Sequence, residues 1–365
     1  MAEWYALSSP EDLDSPALLV YPDRVRENIS LLKSYVKSVD QLRPHVKTHK
    51  SPEATQLLLE AGIARFKCAT IAEAEMLALE GARDILLAYQ PLGPKAHRFL
   101  ELHRHFPEVE FSCLIDDFAA AHELSGIFAL KEKVARVWVD LNVGMNRTGI
   151  VPERAPALIQ EIQRLSGLRL TGVHVYDGHL RDPDMLKRTQ QCNEAFDTVT
   201  QLVNRLHLGH LPIAAGGSPT FPIHAARGSV QCGPGTFIYW DNGYRQALAE
   251  QPFEFAALVF TRIISAPTAS TLCTDLGHKS IASENPLEKR VQFLNAPDLV
   301  PVGHSEEHLV LKAPEGHTYR VGDVLYGIPY HICPTVALHD LAHTVKDGNL
   351  TGNWRMTARR RKLTL

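Results

Sequence analysis

Residues 42–50, Leu42-Arg43-Pro44-His45-Val46-Lys47-Thr48-His49-Lys50, hold the densest chemistry in the chain. Val46 and Thr48 are β-branched and favour a strand, on which alternate side chains share a face. Arg43, His45, Lys47 and His49 then point one way, and Pro44, Val46, Thr48 and Lys50 the other. A lysine turned inward among cations has a lowered pKa, because desolvation and like charges both disfavour its charged form. Neutral near pH 7, it is a nucleophile for a carbonyl, as a Schiff-base lysine must be. The plainer alternative is a cationic strand end that binds phosphate or lies in solvent.

Three other stretches have reactive types at useful spacings. Gly216-Gly217-Ser218, with Thr220 close by, lets backbone N–H groups approach an anion such as phosphate. Gly235 and Thr236, in Gly233-Pro234-Gly235-Thr236, supply a second wall. In Pro329-Tyr330-His331-Ile332-Cys333-Pro334-Thr335, an extended backbone puts His331 and Cys333 on one side. A thiolate with an imidazole favours zinc, and two protein ligands leave room for water and substrate, the layout of a catalytic metal. A chance His-x-Cys is the alternative. His45, His49, His174 and His179 are equally read as hydrogen-bonded barrel residues, Tyr176 as core, and Asp140 as a partner of Arg147.

The elements that must position these residues alternate. Apolar runs at 17–21, 42–49, 66–69, 85–88, 111–115, 134–141, 168–176 and 213–215 read as strands, with helical patterns between them. Eight strands alternating with helices predict a parallel (β/α)8, TIM-like barrel, whose reactive residues gather at the C-terminal strand ends. A doubly wound sheet is the alternative, but no GxGxxG follows the first strand. After about residue 250, short strands at 258–264, 291–294, 309–311 and 336–338 lie between Gly, Pro and Asn turns without helical periodicity. The expected organisation is a barrel over 17–250, with 1–16 and 251–365 forming a β domain.

The chain has 365 residues, a net charge of −3, 45% hydrophobic and 22% charged residues, so nothing points to nucleic acid or an anionic membrane as partner. No run approaches the roughly 20 apolar residues of a membrane helix. The acidic start, Met1 to Leu13, does not read as a secretory signal, and a cytoplasmic location is expected. The six cysteines form no CxxC pair, and the five other than Cys333 read as reduced, buried thiols. The basic tail at 359–362 reads as solvated.

Together these motifs resemble the fold type III pyridoxal-phosphate (PLP) enzymes, in the branch of D-threonine aldolase and eukaryotic-type D-serine dehydratase, within the alanine racemase superfamily. Asp14-Ser15-Pro16-Ala17-Leu18 is similar to the branch's opening, and Arg43 to Lys50 to its lysine motif. The resemblance implies PLP on Lys47, with His45 and Tyr176 beside it. Gly144-Met145-Asn146-Arg147-Thr148-Gly149 resembles a G-M-x-R-x-G motif whose arginine supports the cofactor's phenolic oxygen, a role carried to Arg147. Gly216, Gly217, Ser218 and Thr220 match the phosphate turn, and Tyr239 and Asp241 lie in the second cofactor wall. His331 and Cys333 match the metal pair, for zinc or else manganese or magnesium; cysteine is the dehydratase-like choice, whereas Pro334 to Asp340 looks aldolase-like. The aldolases carry Y-H-G where this chain has Tyr176-Asp177-Gly178-His179, so either Asp177 or His179 takes the base role. The alanine racemase run K-A-N-A-Y-G is missing around Lys47. The implied activity is cleavage of D-β-hydroxy amino acids to glycine and an aldehyde by a PLP- and metal-dependent lyase, as a homodimer. Dehydration to a 2-oxo acid and ammonia, and a non-catalytic PLP-binding role, are the alternatives.

Overall fold

The computed structural model describes residues 3–365. Met1 and Ala2, which open the expected β domain and the acidic start, lie outside the described residues. In chain order the elements begin with β1 (Ala17–Val20), α1 (Pro22–Ser34), α2 (Pro52–Glu60), β2 (Arg65–Cys68), α3 (Ile71–Leu79), β3 (Asp84–Leu87), α4 (Pro94–His105), β4 (Glu110–Ile115), α5 (Phe118–Ala129), β5 (Ala135–Leu141), α6 (Ala155–Arg164), β6 (Leu168–Val175), α7 (Met185–Arg205), β7 (Ile213–Ala215), α8 (Phe221–Ala226), β8 (Val230–Cys232) and α9 (Asn242–Ala247). They continue with β9 (Ala257–Thr268), β10 (Thr271–Thr274), β11 (Val291–Phe293), β12 (Val300–His304), β13 (Leu309–Lys312), β14 (Val324–Pro329), α10 (Ile332–Leu338), β15 (Leu341–Lys346) and β16 (Asn349–Arg355). No helix among the described residues is long and apolar enough to cross a membrane.

Two compact units share these elements. One comprises Leu31–Lys47, Thr55–Gly235 and Arg360–Leu365. Its sheet is parallel, in the order β2-β3-β4-β5-β6-β7-β8. The segment Leu42–Val46 closes it: Leu42 bridges Cys232 of β8 and His45 bridges Lys67 of β2. Four backbone bonds hold this stave, Arg43 N to Cys232 O, His45 N to Pro234 O, Val46 N to Lys67 O and Lys67 N to Pro44 O, each 2.8–2.9 Å. The barrel is thus present with different membership from that expected. The 17–21 strand does not enter it, and β8, too short to show as an apolar run, does. Helices flank the strands, which are therefore buried on both faces and read as continuous apolar runs. Leu86, Leu114, Trp138 and Ala214, from β3, β4, β5 and β7, form an apolar layer. Gly172 makes room for Trp138, since a Cβ there would lie 2.4 Å from the indole. Two residues further along the same strands, by the period of two, come Asp140 and His174.

The other unit comprises Met1–Ser30, Thr48–Ala54 and Thr236–Arg359. Its sheet runs β12-β13-β10-β9-β1-β15-β16, with β14 pairing β9 and β11. Here β1 finds its partners, antiparallel to β9 and parallel to β15. Its core packs Val259, Ile263, Leu272, Phe293, Leu311 and Leu325. The expected strand at 336–338 is instead the end of helix α10. Extended backbone is expected over 329–335, but Pro334 falls in the first helical turn, where its missing N–H has no intrahelical partner to lose.

Candidate active site

The lysine motif does not form the long strand expected of it. Pairing ends at Val46, and residues 46–49 form a turn, followed by Lys50 at φ +52°. The alternation that separated Lys47 from Lys50 has no strand to act on there. Arg43 is buried and does not ring a lysine. Its guanidinium makes two bonds to Asp84, at 2.7 and 2.8 Å, and a third to Gln231 at 2.7 Å, tying barrel staves together. Lys47 is half-buried, and its backbone N–H donates to His45 Nδ1 at 3.3 Å.

A buried lysine with a lowered pKa does exist in this unit: Lys67 of β2. It is 2% exposed, and burial, followed by the charge of Lys47, brings it down to about 7. Its Nζ lies 3.5 Å from Gly216 O and 5.7 Å from the Tyr176 ring centre. A Cβ at Gly233 would stand 2.5 Å from this nitrogen. The available signal was a lysine inside the apolar run Phe66-Lys67-Cys68-Ala69. Arg147, though exposed, sets its guanidinium 4.8 Å from the same Tyr176 ring. Gly178 and Gly217 make space for that ring.

Asp140 pairs with His174 at 2.7 Å, both buried, rather than with Arg147. Burial holds His174 below the usual imidazole range despite this carboxylate. Asp177 is also buried. Thr220 Oγ1 donates to its Oδ1 at 2.7 Å, His224 Nε2 to its Oδ2 at 2.8 Å and the Cys192 thiol to Oδ2 at 3.6 Å. Burial opposes its charge, but these bonds and the His224 charge outweigh it and hold the carboxyl low. A low-pKa carboxylate with both oxygens occupied is a poor proton acceptor. His224 and Cys192 were missed because they come from α8 and α7, far apart in sequence. With Asp177 they bring three donor atoms within 4.8 Å of one another, a possible metal cluster. Thr220 spends its hydroxyl on Asp177, which leaves Gly216, Gly217 and the buried Ser218 as the turn after β7. Gly216 has φ +75°, and a Cβ there would meet His224 and Thr220 at 2.7 Å. His179 is exposed, its ring over Gly144 in the loop after β5.

In the other unit, His331 and Cys333 do not share an extended face: His331 precedes α10 and Cys333 lies in its first turn. They are nonetheless close enough to hydrogen-bond. Burial works against charge on His331, but Cys333 and Glu284 outweigh it and raise the imidazole to about 9. Glu284 Oε1 is 2.5 Å from His331 Nδ1. Cys333 Sγ is 3.2 Å from Thr48 Oγ1 and 3.5 Å from Thr236 Oγ1. Asp241 is buried and accepts from the backbone N–H groups of Tyr244 and Ile332, capping α9 and α10; burial lifts its carboxyl to about 6. Tyr239 is fully buried, its hydroxyl without a hydrogen-bond partner among the described residues. His49, buried too, accepts from Ser51 N–H, and burial lowers it to about 3.

The family model "Alanine racemase, N-terminal domain" matches residues 20–243, and "Putative serine dehydratase domain" matches 256–345. The chain is 28% identical to a D-threonine aldolase of Arthrobacter sp., over 95% of this chain and 93% of that one. It is 24% identical to the D-threo-3-hydroxyaspartate dehydratase of Delftia sp. (strain HT23), over 89% and 92%. The crystal structure of D-threonine aldolase from Filomicrobium marinum superposes with TM-score 0.87 at 25% identity, covering 98% of each chain. These relatives are named as aldolases and a dehydratase, which are lyases. With this barrel, its glycine turn after β7 and a β-rich unit beside it in sequence, the chain belongs to the alanine racemase N-terminal-domain family, in the fold type III branch that joins it to a serine dehydratase domain.

Proposed function

We propose that the protein is a PLP- and divalent-metal-dependent lyase that cleaves D-β-hydroxy amino acids to glycine and an aldehyde. One observation carries this reading: Lys47, Arg147, Tyr176 and the Gly216–Ser218 turn all lie just beyond the C-terminal ends of barrel staves. The residues fit PLP. A Cβ at Gly216 or Gly217 would fill the turn, so backbone can approach a phosphate there. Lys47 would hold the aldehyde carbon, Arg147 the phenolic oxygen, and Gly216, Gly217, Ser218 and Gly235 the phosphate. When bound, PLP supplies an electron sink for charge at the substrate's Cα. Tyr176, fixed between Lys67 and Arg147, limits the space open to a ring and excludes water from one side.

His179 takes the proton of the substrate hydroxyl. It is exposed, whereas Asp177 is occupied by Thr220, His224 and Cys192. Asp177 instead locks the turn that begins at Gly216. His331 and Cys333 would hold zinc or a similar cation, which acts there as a Lewis acid on a hydroxyl oxygen. Their first step is loss of the proton that Glu284 and Cys333 keep on His331. Thr236, Tyr239 and Asp241 belong to the same unit as this pair, and Asp241 orients it through the Ile332 N–H.

The test is incubation with PLP, a divalent cation and D-threonine, with products identified by NMR and EDTA and L-threonine controls. Glycine and acetaldehyde, lost on chelation and absent with L-threonine, are expected. 2-Oxobutanoate with ammonia would replace the aldolase reading by the dehydratase one. No product from any D-β-hydroxy amino acid would overturn both.

A further inference from the structure

Lys67 is an unusual group to bury. Its Nζ has three donors, yet among the described residues its sole acceptor is Gly216 O at 3.5 Å, the outer limit of a hydrogen bond. Among the described residues no carboxylate lies within ion-pair distance of it. Asp140 and Asp177, the nearest anions acting on it, are committed to His174 and to His224 with Thr220. Two glycine turns close round the nitrogen: Gly216 offers it a carbonyl, and Gly233 must lack a side chain for the nitrogen to sit where it does. A buried, incompletely bonded amine between two anion-accepting turns is built to receive a negative group.

We propose that Lys67 is the counter-charge for the phosphoryl group of the cofactor, and that it takes up a proton when that group binds. This rests on the PLP reading above. The groups acting on Lys67 are Lys47 and Arg43, which disfavour its charge, and Asp140 and Asp177, which favour it; His174, Cys232 and Tyr176 are the other titratable neighbours. In the empty protein the amine titrates near pH 7. A phosphate dianion beside it favours the ammonium and raises that value. Below pH 6 the amine is already charged and binding takes up nothing. Above pH 7 binding takes up close to one proton, so affinity weakens about tenfold per pH unit until the raised pKa is reached.

The probe is pyridoxine 5'-phosphate, which has no aldehyde and forms no bond to Lys47. Calorimetry in buffers of different ionisation enthalpy, at pH 6 and 8.5, counts protons taken up by the wild type, Lys67→Met and Lys67→Arg. Relative to Lys67→Met and Lys67→Arg, the wild type is expected to take up close to one extra proton at pH 8.5 and none at pH 6, the ligand's own phosphate titration near pH 6 being common to all three proteins. Lys67→Arg keeps affinity without pH dependence, and Lys67→Met binds more weakly at pH 7. Pyridoxine, lacking the phosphate, is expected to cause no uptake; equal uptake with it would overturn the phosphoryl assignment. Uptake unchanged in Lys67→Met would overturn the role of Lys67 while leaving PLP binding intact. Absence of both probe binding and a PLP absorbance band would overturn the PLP reading as well.

Discussion

The barrel interior and the start of α10 treat buried charge in opposite ways. Lys67 and His331 are both bases whose charge burial opposes. Lys67 has no carboxylate within ion-pair distance, burial prevails, and the amine falls to about 7. His331 has Cys333 and Glu284 against it, these prevail, and the imidazole rises to about 9. Asp241, a few residues from the barrel unit in sequence, shows the acid's version: two backbone donors do not offset burial, and it rises to about 6. Distance to a counter-charge, more than burial itself, decides the sign. A base left without a partner is poised to receive an anion. A base already paired must give up a proton to receive a cation.

The largest expected effect separates the two lysines. Lys47→Ala should lower D-threonine cleavage by at least about a thousandfold and remove the absorbance of lysine-bound PLP; retention of both would move the role to Lys67. Next, Asp177→Ala leaves Thr220, His224 and Cys192 without their acceptor. It should destabilise the fold by about 3 kcal/mol in urea unfolding, and a change below about 1 kcal/mol would mean the cluster is dispensable.

Lys67→Met acts in the other direction. The folded pKa lies below the unfolded value of 10.5, so folding is penalised wherever the unfolded chain holds the proton. The penalty is full below pH 7, shrinks as pH rises from 7, and is gone above the unfolded value. The variant of the cofactor-free protein should therefore be more stable at pH 6, by up to about 5 kcal/mol, with the gap closing toward pH 10 in pH-resolved melts. A constant gap would show that packing, not charge, is responsible. The smallest effect is at the exposed pair: Glu284→Gln should lower the His331 pKa in an NMR titration of metal-free protein while changing stability by less than about 0.5 kcal/mol. An unmoved titration would leave Cys333 and Asp241 as the causes of the shift.

Much of this was legible in the chain. The alternation of apolar runs and helical patterns predicted a parallel barrel followed by a β-rich region, because periodicity is local. The glycine turn at 216–218 and the metal-type pair at 331 and 333 were visible as motifs. Which strands close the barrel was not: β1 reads like any buried strand, and only its partners β9 and β15 assign it to the other sheet. The three-residue β8 carries no periodic signal, and residues 329–335 read as extended backbone unless the helix start is known.

The sequence by itself determined the alternating architecture, the motif that singles out Lys47, and the positions of the Gly216–Ser218 turn, His331 and Cys333, since each is written in consecutive residues. Only the tertiary structure decided that Lys67 is the buried lysine titrating near neutrality, that Asp177 is bound to His224, Thr220 and Cys192, and that His331 is held charged by Glu284. Those outcomes depend on desolvation and on charges brought close from distant parts of the chain, and both arise only when the chain packs.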